Sequence, residues 1–119
     1  MTTPRLYGPF QLNEQGIDAH LQPASPGVYA LGHTRRDLFV VSYIGRADAD
    51  LQAGLKTHVS GPYQQFKFAY ALSARDAFEK QCELYHDYVG LENNRHPCPP
   101  TGVDVQCPRC RMPEELLRA

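Results

Sequence analysis

Apolar residues alternate with polar ones in parts of this chain and recur at helical spacing in others, and the changes of period mark out its elements. Val28 and Ala30 open a short strand after Gly27, and the polar run Gly32 to Asp37 reads as the turn that ends it. Leu38 to Ile44, LFVVSYI, is rich in β-branched and aromatic residues and pairs back as the second arm of a hairpin. Asp48 or Asp50 then caps a helix in which Leu51, Leu55 and Val59 share one face. Gln65 to Leu72 alternates again and puts Phe66, Phe68, Tyr70 and Leu72 on one side of a third strand. Ser73, with Asp76 three residues on, forms a capping box and starts a helix that runs to about Tyr88. Its apolar stripe is Ala74, Ala77, Phe78, Cys82 and Tyr85, while Glu79, Glu83 and His86 occupy another face.

Residues 1–25 are punctuated by Pro4, Pro9 and Pro23 and read as an N-terminal extension, in which Arg5 to Leu12 is an edge strand or an extended arm. Beyond Gly90 the prolines and cysteines of a tail, residues 95–119, show no strong periodicity. The order strand–strand–helix–strand–helix over residues 26–94 implies an α/β (α+β) sandwich. Its sheet is expected to be three-stranded, small and mostly antiparallel, with helices flanking it.

At 119 residues, 42% of them hydrophobic, the chain suits a single core. No stretch approaches the roughly 18 apolar residues of a membrane helix, so no membrane partner is expected. The start, MTTPRLYGPF, has neither a basic cluster nor an apolar run, which leads to the expectation of a cytoplasmic protein. In that reducing setting clustered thiols are more often metal ligands than disulfides. A net charge of −1 lacks the basic excess of proteins that grip long duplex DNA by its phosphates. Any nucleic-acid site must then be a local patch of modest affinity, and Arg46, Lys56, Lys67 and Arg75 are the candidate cations.

Pro26-Gly27-Val28-Tyr29 on the first strand and Tyr43-Ile44-Gly45-Arg46 on the second are followed in order by Leu51, His58 and Glu79. This set, over roughly Pro26 to Asn94, resembles the GIY-YIG nuclease superfamily. Either tripeptide alone would be weak; the ordered set is specific. The resemblance implies metal-dependent endonuclease-like hydrolysis of phosphodiester bonds in DNA, single-stranded or structured. It assigns Glu79 to a catalytic Mg²⁺ or Mn²⁺ ion, Tyr29 and Tyr43 to orienting or deprotonating a water, His58 to the phosphate or a tyrosine hydroxyl, and Asn94 (or Asn93) to the late asparagine. A tyrosine of ordinary pKa, about 10, is a poor base unless a nearby cation lowers it.

One departure matters. The family usually carries an arginine four residues before the histidine, where it would clamp the phosphate in a bidentate way, and this chain has Gly54 there. Arg46 or Lys56 could supply the charge instead; otherwise the chain is a catalytically inactive module that binds nucleic acid or protein. Each residue also has a plain reading: strand tyrosines, a solvated Glu79, a His58 that complements a helix dipole, a Gly45 that ends a strand. Specificity in the superfamily usually comes from a second domain, so an isolated domain is expected to be non-specific, structure-specific, or dependent on a protein partner that supplies specificity.

In the tail, His96 and Cys98 precede Cys107-Pro-Arg-Cys110. A CPxC turn presents two thiolates to one ion, and zinc takes four such ligands in a tetrahedron. Cys98, Cys107 and Cys110 supply three, with His96 as the first choice for the fourth. His86 and Cys82 are rivals, although Cys82 lies on an apolar stripe and suits a core. A redox CxxC would normally open a helix of a βαβ unit, whereas this one follows a proline-rich loop.

Overall fold

The computed structural model of the chain describes residues 5–88, 91, 97–100, 102 and 107. In chain order the elements are β1 (Tyr7–Gln11), α1 (Glu14–His20), β2 (Gly27–Arg35), β3 (Leu38–Ala47), α2 (Leu51–Lys56), β4 (Gln65–Tyr70) and α3 (Ala74–Asp87). The α+β class agrees with the sequence pattern, but the sheet has four strands rather than three, in the order β1-β4-β2-β3. Every pairing is antiparallel.

The fourth strand comes from the segment expected as an extension or arm. β1 pairs with β4, with Phe10 opposite Phe66, and its Gly8-Pro9 step falls where the register shifts. Proline cannot donate to a ladder, so an edge is where a strand tolerates it. Asn13 caps α1 by accepting from the Gly16 amide at 2.7 Å. Leu12, Ile17 and Leu21 are then buried under the sheet, Ile17 completely. No periodicity announces α1, because a seven-residue helix with one buried position has too few repeats to show one.

Arg36 and Asp37, both at positive φ (53° and 65°), turn the β2–β3 hairpin as a two-residue loop. This lengthens both strands beyond the expected ones, and Gly32 to Arg35 are strand rather than turn. Leu31 pairs with Tyr43 but Gly32 with Val41, so Ser42 is the extra residue of a bulge. The free arm of the hairpin exposes Leu38 (70%) and Val40 (39%) on β3, an edge strand.

Strand alternation gives the sheet two faces. Tyr29, Leu31, Phe66 and Phe68 point to one, where Leu51 and Leu55 of α2 and Ile17 of α1 cover them. Val28, Ala30, Ile44 and Ala69 point to the other, beneath Leu84 of α3. Asp50 caps α2 by accepting from the Ala53 amide. Ser73 caps α3, its hydroxyl accepting from the Asp76 amide at 3.1 Å, and the Asp76 carboxylate accepts in return from the Leu72 amide. Two side chains depart from the expected faces. β4 stops at Tyr70, so Leu72 is almost wholly exposed, and Glu83 is buried in α3 rather than sharing a solvated face with Glu79.

The N-terminal segment is therefore part of the core. Ile17→Ala should lower the unfolding free energy by about 2–5 kcal/mol, the usual range for truncating a fully buried aliphatic side chain. Urea denaturation measures this directly, and a change near zero would mean that α1 contributes nothing to the fold.

Candidate functional site

Tyr29 stands in the middle of β2, directly opposite Gly45 of β3. With no Cβ in the way, its ring lies across Gly45, and a methyl added there would come within 2.5 Å of the Tyr29 Cζ. Glycine at the end of the YIG-like tripeptide is thus the floor on which the other tyrosine rests. α2 forms the roof, approaching so closely at Gly54 that a Cβ would meet that of Ala47 at 3.1 Å. Tyr29 is consequently buried, 5% exposed.

Its hydroxyl still finds a partner. Tyr29 Oη lies 3.0 Å from Nε2 of His58, which follows the C-terminus of α2. Tyr43, two residues before Gly45 on the same face, stacks parallel to Tyr29 with ring centroids 6.4 Å apart. His58 also tilts against Tyr43 at 5.1 Å, and Tyr63 closes the group at 5.9 Å from Tyr43. Three expected site residues, Tyr29, Tyr43 and His58, are therefore brought together. Tyr63 was missed, because the GPYQQ run around it has no apolar period to announce a packed ring.

Burial, with a smaller contribution from neighbouring Tyr43, pushes the Tyr29 phenol far above its ordinary value near 10. Burial also lowers the pKa of His58. At neutral pH both partners are uncharged: either the phenol donates to a bare Nε2, or the Nε2–H donates to the phenol oxygen. Tyr29 is in consequence no base, and its hydrogen bond serves to orient the imidazole.

The remaining candidates lie elsewhere. Arg46 follows Gly45 and so points to the opposite face, where it reaches Gln81 at 2.8 Å, pairs with Asp48 at 2.6 Å and lies over the Phe78 ring. It does not stand in for the missing arginine beside Tyr29. Lys56 pairs with Asp18 of α1 at 2.8 Å, and that hydrogen bond raises its pKa. Lys67 lies over the Phe39 ring on the α3 side of the sheet. Arg75 pairs with Glu79 at 3.9 Å. These four cations do not converge on one patch.

Glu79 is on α3, the helix that packs on the face away from Tyr29 and Tyr43, and its side chain is 21% exposed. Asn93, Asn94, His96 and Cys110 lie outside the described residues. Of the expected zinc ligands, Cys98 is exposed and Cys107 is buried against Phe78 and Cys82 of α3. Among the described residues no three His, Cys, Asp or Glu side chains are grouped to hold a metal. No protein-family model matches the chain, and neither does any curated protein or solved structure.

Two outcomes follow from this geometry. Gly45→Ala should cost about 1–3 kcal/mol by overpacking, and Tyr29→Ala in the same chain should make the added methyl nearly harmless. A double-mutant cycle in urea measures that coupling, and simple additivity would separate the two residues. Because the folded chain resists protonation of His58, acid favours unfolding: the contribution is intact above about pH 6.5 and is lost as pH falls below it. Urea midpoints measured across that range should fall less steeply in His58→Gln than in the parent chain.

Proposed function

We propose that the chain is a metal-dependent, endonuclease-like phosphodiesterase acting on DNA, with its reaction centred on Tyr29, Tyr43 and His58. The observation that carries this reading is the 3.0 Å contact between Tyr29 Oη and His58 Nε2 beside the Tyr43 ring. Three residues from separate segments, each assigned to the site by the ordered motif, meet at one place. General acid–base catalysis needs a group that is uncharged near neutrality and able to take a proton, and His58 meets that condition through its lowered pKa. Tyr29 stays protonated and orients the imidazole. Tyr43, half-buried and outermost, is the hydroxyl placed to meet a phosphate oxygen.

The resemblance also implies a divalent ion on Glu79. A partly buried single carboxylate suits Mg²⁺, which keeps most of its waters and takes only one or two protein carboxylates. The resemblance gives such an ion the role of offsetting charge on the transferring phosphoryl group and the leaving oxygen. α3, however, packs on the sheet face away from Tyr29 and Tyr43, so a Glu79 variant tests whether the two parts act together. Glu79 pairs with Arg75 at 3.9 Å and would exchange that ion pair for the metal.

A second reading, a catalytically silent module that binds nucleic acid or protein, is favoured by the disposition of charge. Gly54 leaves the roof of the site without a cation, and Arg46, Lys56 and Arg75 are each committed to an acidic partner. Cleavage of single- and double-stranded DNA with Mg²⁺ or Mn²⁺ separates the two. A nuclease of this kind should lose on the order of 100-fold or more in rate in His58→Ala and in Tyr29→Phe, the scale of one general acid–base group. Glu79→Gln should abolish cleavage while leaving stability nearly unchanged. Binding that falls with salt but no cleavage by the parent chain under either metal would establish the silent module.

A further inference from the structure

We propose that the free arm of the β2–β3 hairpin is a docking surface for single-stranded DNA, leading to the Tyr43–Tyr63 side of the aromatic cluster. The nature of the ligand rests on the hydrolytic reading above; the surface itself rests on the arm. β4 pairs with β2 no further than Gly32. The rest of the hairpin, out to the turn at Arg36 and Asp37, runs past β4 as a two-stranded ribbon.

One side of that ribbon continues the face of the cluster. Tyr29 and Leu31 face α1 and α2, so alternation along β2 puts Arg35 on the same face. Leu38 stands opposite Arg35, and Val40 opposite His33, so both apolar side chains share that face. Tyr43, opposite Leu31, carries the strip on to Tyr63. From Leu31 to Arg35 it extends roughly 13 Å, at about 3.3 Å of strand per residue.

The strip combines two chemistries. Leu38 and Val40 are exposed large apolar side chains side by side on one surface, the kind of patch that marks an interaction site. Arg35 and Arg36 are exposed too, and neither enters an ion pair among the described residues, in contrast to Arg46, Lys56 and Arg75. Guanidinium groups take phosphate oxygens in a bidentate way, while apolar and aromatic side chains take the faces of unstacked bases. Only a single strand offers both at once. A duplex keeps its bases stacked and presents phosphate, which two arginines on a chain of net charge −1 hold poorly. β3 is also an edge strand, and a second copy of the chain is the usual competitor for such an edge. The bulge at Ser42 interrupts the ladder in its middle and blunts it against that pairing.

Fluorescence anisotropy of a labelled thymidine oligonucleotide of about 15 nucleotides, without divalent metal, tests the arm in the full chain. The parent should bind it at least about tenfold more tightly than a duplex of equal length. The double variant Arg35→Ala, Arg36→Ala should lower the slope of log affinity against log salt by about 1.4, two phosphates at about 0.7 each. Leu38→Ser should weaken binding on the order of fivefold with that slope unchanged, since it removes an apolar contact and no charge. These side chains are exposed, so the fold should survive each change. No binding by the parent, equal affinity for duplex, or unaltered binding in both variants overturns the proposal. So does a parent chain that self-associates through the arm, made monomeric by Leu38→Ser with DNA binding unchanged. Arm-dependent binding without cleavage upholds the surface and defeats the hydrolytic reading; cleavage by a chain whose arm variants bind normally does the reverse.

Discussion

A tyrosine ring laid across a glycine of the neighbouring strand is the contact on which the rest of this structure depends. Tyr29 can be buried there only because Gly45 has no side chain, and Gly54 lets α2 lie close to Ala47 of β3. Between that floor and that roof the ring has little rotational choice, so its hydroxyl is delivered to the imidazole of His58. The same burial that positions the phenol holds it neutral, which makes it an orienting group more than a reactive one. Positioning and reactivity thus arise from one packing decision. A substituent on either glycine would disturb the strand pair, the helix and the hydrogen bond together.

Charge is organised around the folded frame and away from that hydroxyl. Lys56 joins α2 to α1 through Asp18, and Arg46 joins β3 to α3 through Gln81 and the face of Phe78. The solvent-accessible Lys56–Asp18 pair contributes little to stability. These contacts fix where the charges of Lys56 and Arg46 reside, and the overall charge of −1 provides no basic excess to attract a polyanion. On the hydrolytic reading proposed above, substrate capture would rely on stacking and hydrogen bonding at the Tyr43–Tyr63 side of the cluster more than on long-range steering.

The long periodic parts of the fold could be read in the sequence. The hairpin, the Phe66–Phe68 strand and the Ser73-capped helix each repeat a pattern often enough to be recognised, and the convergence of Tyr29, Tyr43 and His58 followed from motif order. What escaped notice was decided at longer range or in shorter pieces. β1 owes its existence to an open edge on β4, which no property of Tyr7 to Gln11 reveals. α1 is barely two turns long, with one buried side chain. Glu83 was assigned to the surface by helical spacing, but α3 is covered on more than one side and that carboxylate is enclosed. Arg46 looked like a replacement for the missing arginine until the alternation of β3 sent it through the sheet to the other face.

The segment that bears the motif is smaller than the segment that folds. Residues 26–94 contain every tyrosine, histidine and carboxylate of the hydrolytic reading, yet β1 closes the β4 edge, α1 supplies Ile17 to the core beneath Tyr29, and Cys107 returns to cover Phe78 and Cys82. Cut free of these additions, the motif-bearing stretch would expose an unpaired strand and two apolar patches, the profile of a sticky fragment more than of a portable module. In this chain the reactive cluster cannot be inherited, transplanted or trimmed as a cassette. It travels with both of its flanks.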